Sequence, residues 1–301
     1  MESNLGKSVL KEVSRSFYLS LRLLPREMRT GTSIGYLLAR TSDTIADTAG
    51  LPVDLRLQWL ERFSAAVVSD EGLKWSPNLM KQLSPSERAL FQRSDEILKW
   101  YWSIVSDERE LIEEVVSTII AGQRFDLERF ANASASEPVA LTDEAELENY
   151  TWHVAGCVGA FWTKLGHLTL GDRFSGSPIS GLLEKGIRYG KGLQLVNILR
   201  DLPEDLAAGR CYLPVENPQD IPQLMAMHAR WLERASQWIG DGEEYGRELK
   251  SRRLRMASVL PARIAAETLS RMKGASWSEL QNRIKVPRRQ VYGLLLQSLF
   301  R

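Results

Sequence analysis

The chain has 301 residues, 44% of them hydrophobic and 26% charged, which describes a globular protein with ample apolar material for a core. With 39 basic against 38 acidic residues there is no net field to gather nucleic acid, and no nucleic-acid partner is expected. Two cysteines, Cys157 and Cys211, are too few for a disulfide framework; no signal-like N-terminus and no window of roughly 20 apolar residues is present, so a cytoplasmic protein without a membrane span is expected.

In chain order, the predicted elements are helical. The segment TGTSIGYLLARTSDTIADTAGLP carries apolar residues at Ile34, Leu37, Leu38 and Ile45 and stops at Gly50 and Pro52. RLQWLERFSAAVVS, ERELIEEVVSTIIAGQRFDLERF, TWHVAGCVGAFWTKLGHLTLG, KGIRYGKGLQLVNILRDL, PQLMAMHARWLERASQWIGDG and PARIAAETLSRM each repeat the i, i+3, i+4 recurrence of a packed helix. Polar breaks at SDEGLKWSPN, ANASASEP and RFSGSPISG read as loops too short for domain linkers, so residues 1–301 are expected to form one domain. The expected fold is all-α, a single large helical bundle; several of its helices lack a strongly polar face, as they would inside such a bundle.

Two stretches carry the chemistry. Asp43 and Asp47 in RTSDTIADT stand four apart, with Arg40 and Tyr36 on the preceding turns. Gln194, Asn197, Asp201 and Asp205 repeat that ladder, with Arg200 beside it and Arg210 and Tyr212 just beyond. Acids at such spacing on one helix are most often solvated surface groups. Stabilising surface pairs, however, alternate opposite charges, whereas these four-step neighbours repel. The second ladder is also embedded in LQLVNILRDL, and an acidic stripe in an apolar helix needs a positive partner. Mg²⁺ fits, because it takes one or two carboxylates, keeps waters, and completes its shell with phosphate oxygens. Two such ladders facing each other could hold several Mg²⁺ ions around a diphosphate, with Arg40, Arg200 and Arg210 adding forked hydrogen bonds. Pro203 falls inside the second ladder, and a bend between Asp201 and Asp205 is expected there.

In order and spacing, SRSFYLSLRLLP, YLLARTSDTIAD, YTWHVAGCVGAFW and GKGLQLVNILRDLPEDLAAGRCYLP resemble the head-to-head prenyl synthases, the family of squalene, dehydrosqualene and phytoene synthases. The resemblance implies the all-α isoprenoid synthase fold with a central cavity, and Mg²⁺-dependent joining of two allylic diphosphates through a cyclopropyl diphosphate. It implies Asp43 and Asp47 as the first Mg²⁺ ligands and Asn197, Asp201 and Asp205 as the second set. Ser14, Arg15, Ser16 and Phe17 would meet diphosphate and prenyl chain; Tyr36, Arg40, Gln194 and Arg200 would line the diphosphate pocket, with Arg210 and Tyr212 beyond. Tyr150 would sit near the reacting carbons, where a ring face attracts a carbocation and a hydroxyl exchanges a proton.

Within the family, the DTIAD form of the first block, the EMR of Glu27 to Arg29, and the HVAGCVG of His153 to Gly159 resemble the squalene-forming branch. That branch carries a basic segment associated with NADPH where Lys285 and Arg288 stand. The expected activity is therefore conversion of farnesyl diphosphate to squalene with NADPH. Products that need no NADPH (presqualene diphosphate, hydroxysqualene, dehydrosqualene or phytoene) remain open, as does a non-catalytic helical interaction protein with solvated ladders. Ala266 stands where carotenoid-type members commonly carry a tyrosine, and no Gly-rich dinucleotide fingerprint is present. A C30 product has almost no solubility in water, so peripheral membrane contact is expected for its release.

Overall fold

Helical periodicity becomes helices nearly throughout the computed structural model, which describes residues 21, 23–69, 72–287 and 289–291. Contacts divide the chain into two units, Met1–Glu128 with Lys164–Gly171, and Arg129–Thr163 with Asp172–Arg301.

The first unit holds α1 (Arg26–Asp47), α2 (Val53–Ser69), α3 (Pro77–Gln82), α4 (Pro85–Gln92), α5 (Ser94–Trp102) and nearly all of α6 (Ser106–Arg129). The apolar residues that define the α1 stripe, Ile34, Leu37, Leu38 and Ile45, are all buried. Helices α3 to α5 have no counterpart in the periodicity reading, because they are short; α3 and α4 are set off by Ser-Pro steps. Ser76 accepts from the Leu79 amide, and Ser84 forms a capping box with Glu87. The loop before them is anchored by Trp75, whose indole N–H donates to the Phe91 carbonyl at 3.0 Å and to Ser94 at 2.8 Å. Its ring lies 4.4 Å from Phe91 and 5.5 Å from Trp59 between centroids.

The second unit contains β1 (Val139–Ala140), α7 (Glu144–Thr151), a π-helical turn (Trp152–Gly156), the first part of α8 (Cys157–Leu170), and α9 (Ile179–Ala207). It continues with β2 (Arg210–Cys211), paired in parallel with β1, then α10 (Ile221–Glu248), α11 (Arg252–Met272) and α12 (Trp277–Gln281). Helix α11 starts well before Pro261, where the sequence pattern begins, because Ser251 caps it by accepting from the Leu254 amide. The packing around α9 is backbone to backbone. A Cβ on Gly190 would lie 2.2 Å from the Ala155 carbonyl oxygen, and one on Gly159 would lie 1.9 Å from that of Gly186. Only glycine allows that approach. On the other side, Tyr189 donates to the Ser258 carbonyl at 2.8 Å, and Thr163 and Tyr245 share a hydroxyl hydrogen bond at 2.9 Å. Among the described residues, no helix is long and apolar enough to cross a membrane.

The close crossing predicts that Gly190→Ala forces α9 away from the π-helical turn and costs about 1–3 kcal/mol of folding stability. Urea unfolding checks it; a midpoint unchanged from wild type would contradict the crossing.

Candidate active site

The first ladder sits on α1 in the first unit. Asp43 is half-buried and Asp47 exposed at the last turn of the helix. Arg40, one turn earlier, donates from Nη1 to Asp43 Oδ2 at 2.7 Å. Its Nη2 reaches Glu87 Oε1 of α4 at 3.4 Å. Sequence reasoning missed Glu87, since nothing local to α1 announces a partner from another helix. Burial, then repulsion from Asp47, raises the Asp43 carboxyl to about 6, against the lowering pull of Arg40. Tyr36 is half-buried one turn before Arg40 on the same helix.

The second ladder runs along α9 in the second unit. Asn197 is exposed, while Gln194, Asp201 and Asp205 are half-buried. The neighbouring Leu195, Ile198, Leu199 and Leu202 are buried, so the ladder is the polar edge of an otherwise apolar helix. Arg200 grips Asp201 with a two-pronged contact, Nε to Oδ1 at 2.9 Å and Nη2 to Oδ2. Arg210, leading β2, donates to Asp205 Oδ1 at 2.9 Å. A further arginine joins them. Arg283 places Nη2 2.7 Å from Glu204 Oε2 and Nε 3.9 Å from Asp201 Oδ1. It is the one non-glycine residue with positive φ among those described, at 58°, a conformation that costs about 1 kcal/mol or more and that tertiary contacts must hold. Arg200, Asp201, Pro203, Glu204, Leu280, Gln281 and Arg283 line a pocket of about 350 Å³. The pairing of Arg283 with a ladder distant in sequence is a tertiary fact.

Helix α9 does not break at Pro203 but remains helical to Ala207. The expectation of a bend rests on the lost i−4 hydrogen bond to Leu199. That carbonyl instead has a partner from α10, His228 Nε2 at 3.2 Å.

Tyr150 and Tyr212, which the sequence reading places in separate roles, are stacked, with centroids 4.8 Å apart and planes 20° from parallel. Phe130 meets Tyr212 edge-on at 5.1 Å. Tyr150 stands two residues before the start of the π-helical turn at Trp152–Gly156, and such turns are frequent at functional sites. Lys285 lines a pocket of about 300 Å³ with Arg271, Lys273 and Glu279. Ser14, Arg15, Ser16, Phe17 and Arg288 lie outside the described residues.

The donor chemistry of both ladders suits a hard divalent cation. Among the described residues no three His, Cys, Asp or Glu side chains converge as a ready-made metal cluster. Mg²⁺ does not require one, since a carboxylate or two plus water and substrate oxygens complete its shell. The Asp43 carboxyl is raised first by burial and then by Asp47, with arginine as the offsetting charge.

The profile of the squalene/phytoene synthase family matches residues 10–290. The chain belongs to that family. The squalene/phytoene synthase family is one of prenyltransferases that act on prenyl diphosphates and use metal ions. A squalene synthase of Nicotiana benthamiana is 30% identical over 66% of this chain and 43% of its own length. A presqualene diphosphate synthase of Rhodopseudomonas palustris is also 30% identical, over 67% of this chain and 58% of its own length. The chain thus matches about half the length of these relatives. Among solved structures, the TcSQS complex with the ligand E5700 superposes with a TM-score of 0.80 at 20% identity, covering 99% of this chain and 87% of that one. That likeness establishes the shared all-α fold.

The electrostatics of α1 predict a pH signature. Because folding raises the Asp43 pKa above its usual 3.8, stability is greatest where the group is protonated and declines as pH rises through about 6. Asp43→Asn should remove that decline. The side chain is 46% exposed, so solvent screening limits the gain at pH 7 to about 1 kcal/mol or less. Urea unfolding from pH 4 to pH 8 without divalent cations checks this; a difference between variant and wild type that does not change with pH would contradict it.

Proposed function

We propose that this protein is an Mg²⁺-dependent prenyltransferase that joins two farnesyl diphosphates head to head and reduces the product to squalene with NADPH. The observation that carries the reading is the pairing of each acidic ladder with arginines. Carboxylates that can hold a cation stand beside guanidinium groups that can hold a diphosphate.

Asp43 and Asp47, and Asn197, Asp201 and Asp205, are the residues that would hold Mg²⁺. Bound there, it would neutralise the diphosphate and make it a good leaving group. Arg40, Arg200 and Arg210 have fork geometry suited to phosphate oxygens, and their present carboxylate partners are the groups a cation would engage instead. As the carbon–oxygen bond to diphosphate breaks, these arginines stabilise the charge developing on the leaving group. The allylic cation is attacked by the double bond of the second substrate, and loss of a proton closes the cyclopropane of presqualene diphosphate. The ring faces of Tyr150 and Tyr212 suit a passing carbocation, and the Tyr150 hydroxyl suits the proton transfer. A second ionisation and rearrangement would follow, and NADPH, if bound, would supply the hydride that ends the sequence. The pocket of Arg271, Lys273 and Lys285 offers positive charge for a cofactor phosphate.

Stopping at presqualene diphosphate is the second reading, favoured by the equal identity to a presqualene diphosphate synthase. Incubation of the protein with farnesyl diphosphate and Mg²⁺, with and without NADPH, separates the two. Squalene only when NADPH is present is the expected result. Presqualene diphosphate under both conditions would assign the second reading, and no C30 product under either would refute both. Asp201→Asn should lower turnover by about a hundredfold or more with the fold retained, since it removes a group acting on the developing charge. Circular dichroism and steady-state rates check it.

A further inference from the structure

Pro203 lacks an N–H, so the Leu199 carbonyl loses its i+4 backbone donor in the turn that separates Asp201 from Asp205. Leu199 is fully buried, where no water can substitute, and a buried carbonyl without a partner is costly. The donor comes from α10. His228 Nε2 lies 3.2 Å from the Leu199 oxygen. A carbonyl can only accept, so this nitrogen carries the proton. His228 is itself 2% exposed and shares its helix face with the buried Leu224, Trp231 and Leu232. Burial holds the ring below the usual imidazole range, which keeps it neutral. An imidazole in so apolar a place has a polar task to justify its burial. The carbonyl it meets is the one that proline chemistry leaves open.

We propose that His228 is a positioning residue for the second acidic ladder, its imidazole N–H replacing the backbone donor absent at Pro203 and holding the turn that sets Asp205 relative to Asp201. The positioning role rests on the reading of that ladder as a metal and diphosphate site. The hydrogen bond itself does not.

A double-mutant cycle of His228→Leu and Pro203→Ala tests both parts, because the alanine substitution restores an amide that can donate to Leu199. In urea unfolding without ligand, His228→Leu should lower the folding equilibrium constant about tenfold with Pro203 present, and by less than about threefold in the Pro203→Ala background. An equal loss in both backgrounds would overturn the hydrogen-bond substitution. In calorimetric titration with inorganic diphosphate and Mg²⁺, His228→Leu should weaken binding about tenfold, and the double variant should return to within about threefold of wild type. Unchanged diphosphate binding in His228→Leu would overturn the positioning role. Should His228→Leu not fold, His228→Gln keeps an N–H donor: native-like diphosphate binding supports the proposal, and binding as weak as in His228→Ala overturns it. Wild-type protein that binds no diphosphate would refute the functional reading and the positioning role together, while the unfolding cycle would still report the hydrogen bond.

Discussion

Like charges stacked one turn apart on helices that are otherwise apolar are the constraint to which the rest of the structure answers. Burial disfavours a charged carboxylate and a four-step neighbour repels it, and in that order the two raise the Asp43 carboxyl. Each ladder is therefore met by guanidinium groups: Arg40 on Asp43, Arg200 on Asp201 and Arg210 on Asp205. These arginines come from three different local settings: the same helix one turn earlier, the adjacent residue, and the start of a short strand. Arg283 adds a fourth from beyond α12, in a backbone conformation that only tertiary contacts sustain. A protein that needed only to bury helices would have placed leucine at these positions. Keeping opposed charges poised at half-burial makes sense where a cation and an anion are to arrive together.

The supporting architecture follows from bringing α9 close to its neighbours. Glycines at 159, 186 and 190 let the backbone of the Trp152–Gly156 turn and of α8 approach that of α9, leaving no room for a Cβ at Gly159 or Gly190. Tyr150 precedes that turn and stacks on Tyr212, which follows the strand beginning at Arg210, the partner of Asp205. The aromatic pair and the acidic ladder are thus tied to the same short stretch after α9. A shift of α9 would disturb both.

Much of this was legible in the residues. The α1 stripe and the long helices announce themselves by period, and the ladders by spacing, because both are local properties. The short helices between Pro77 and Trp102 were not, since each is too short to show a period. The π-helical turn was not, because WHVAG continues a helical pattern and nothing local distinguishes a bulge. Pro203 illustrates the boundary best. Local chemistry fixes that the Leu199 carbonyl loses its donor, but the replacement comes from His228 on another helix, which no spacing rule reaches. Glu87 on Arg40 and Arg283 on Glu204 escaped for the same reason.

The central claim is that carboxylates and arginines are held as mutual counter-ions to be divided between a metal cation and a diphosphate anion. Thermal unfolding of the wild-type protein with Mg²⁺ alone, inorganic diphosphate alone, and both together tests it directly. The account predicts small separate effects and a combined rise in Tm of several degrees, because ligands that bind the folded state jointly stabilise it by their coupled affinity. An equal rise with diphosphate alone would contradict it.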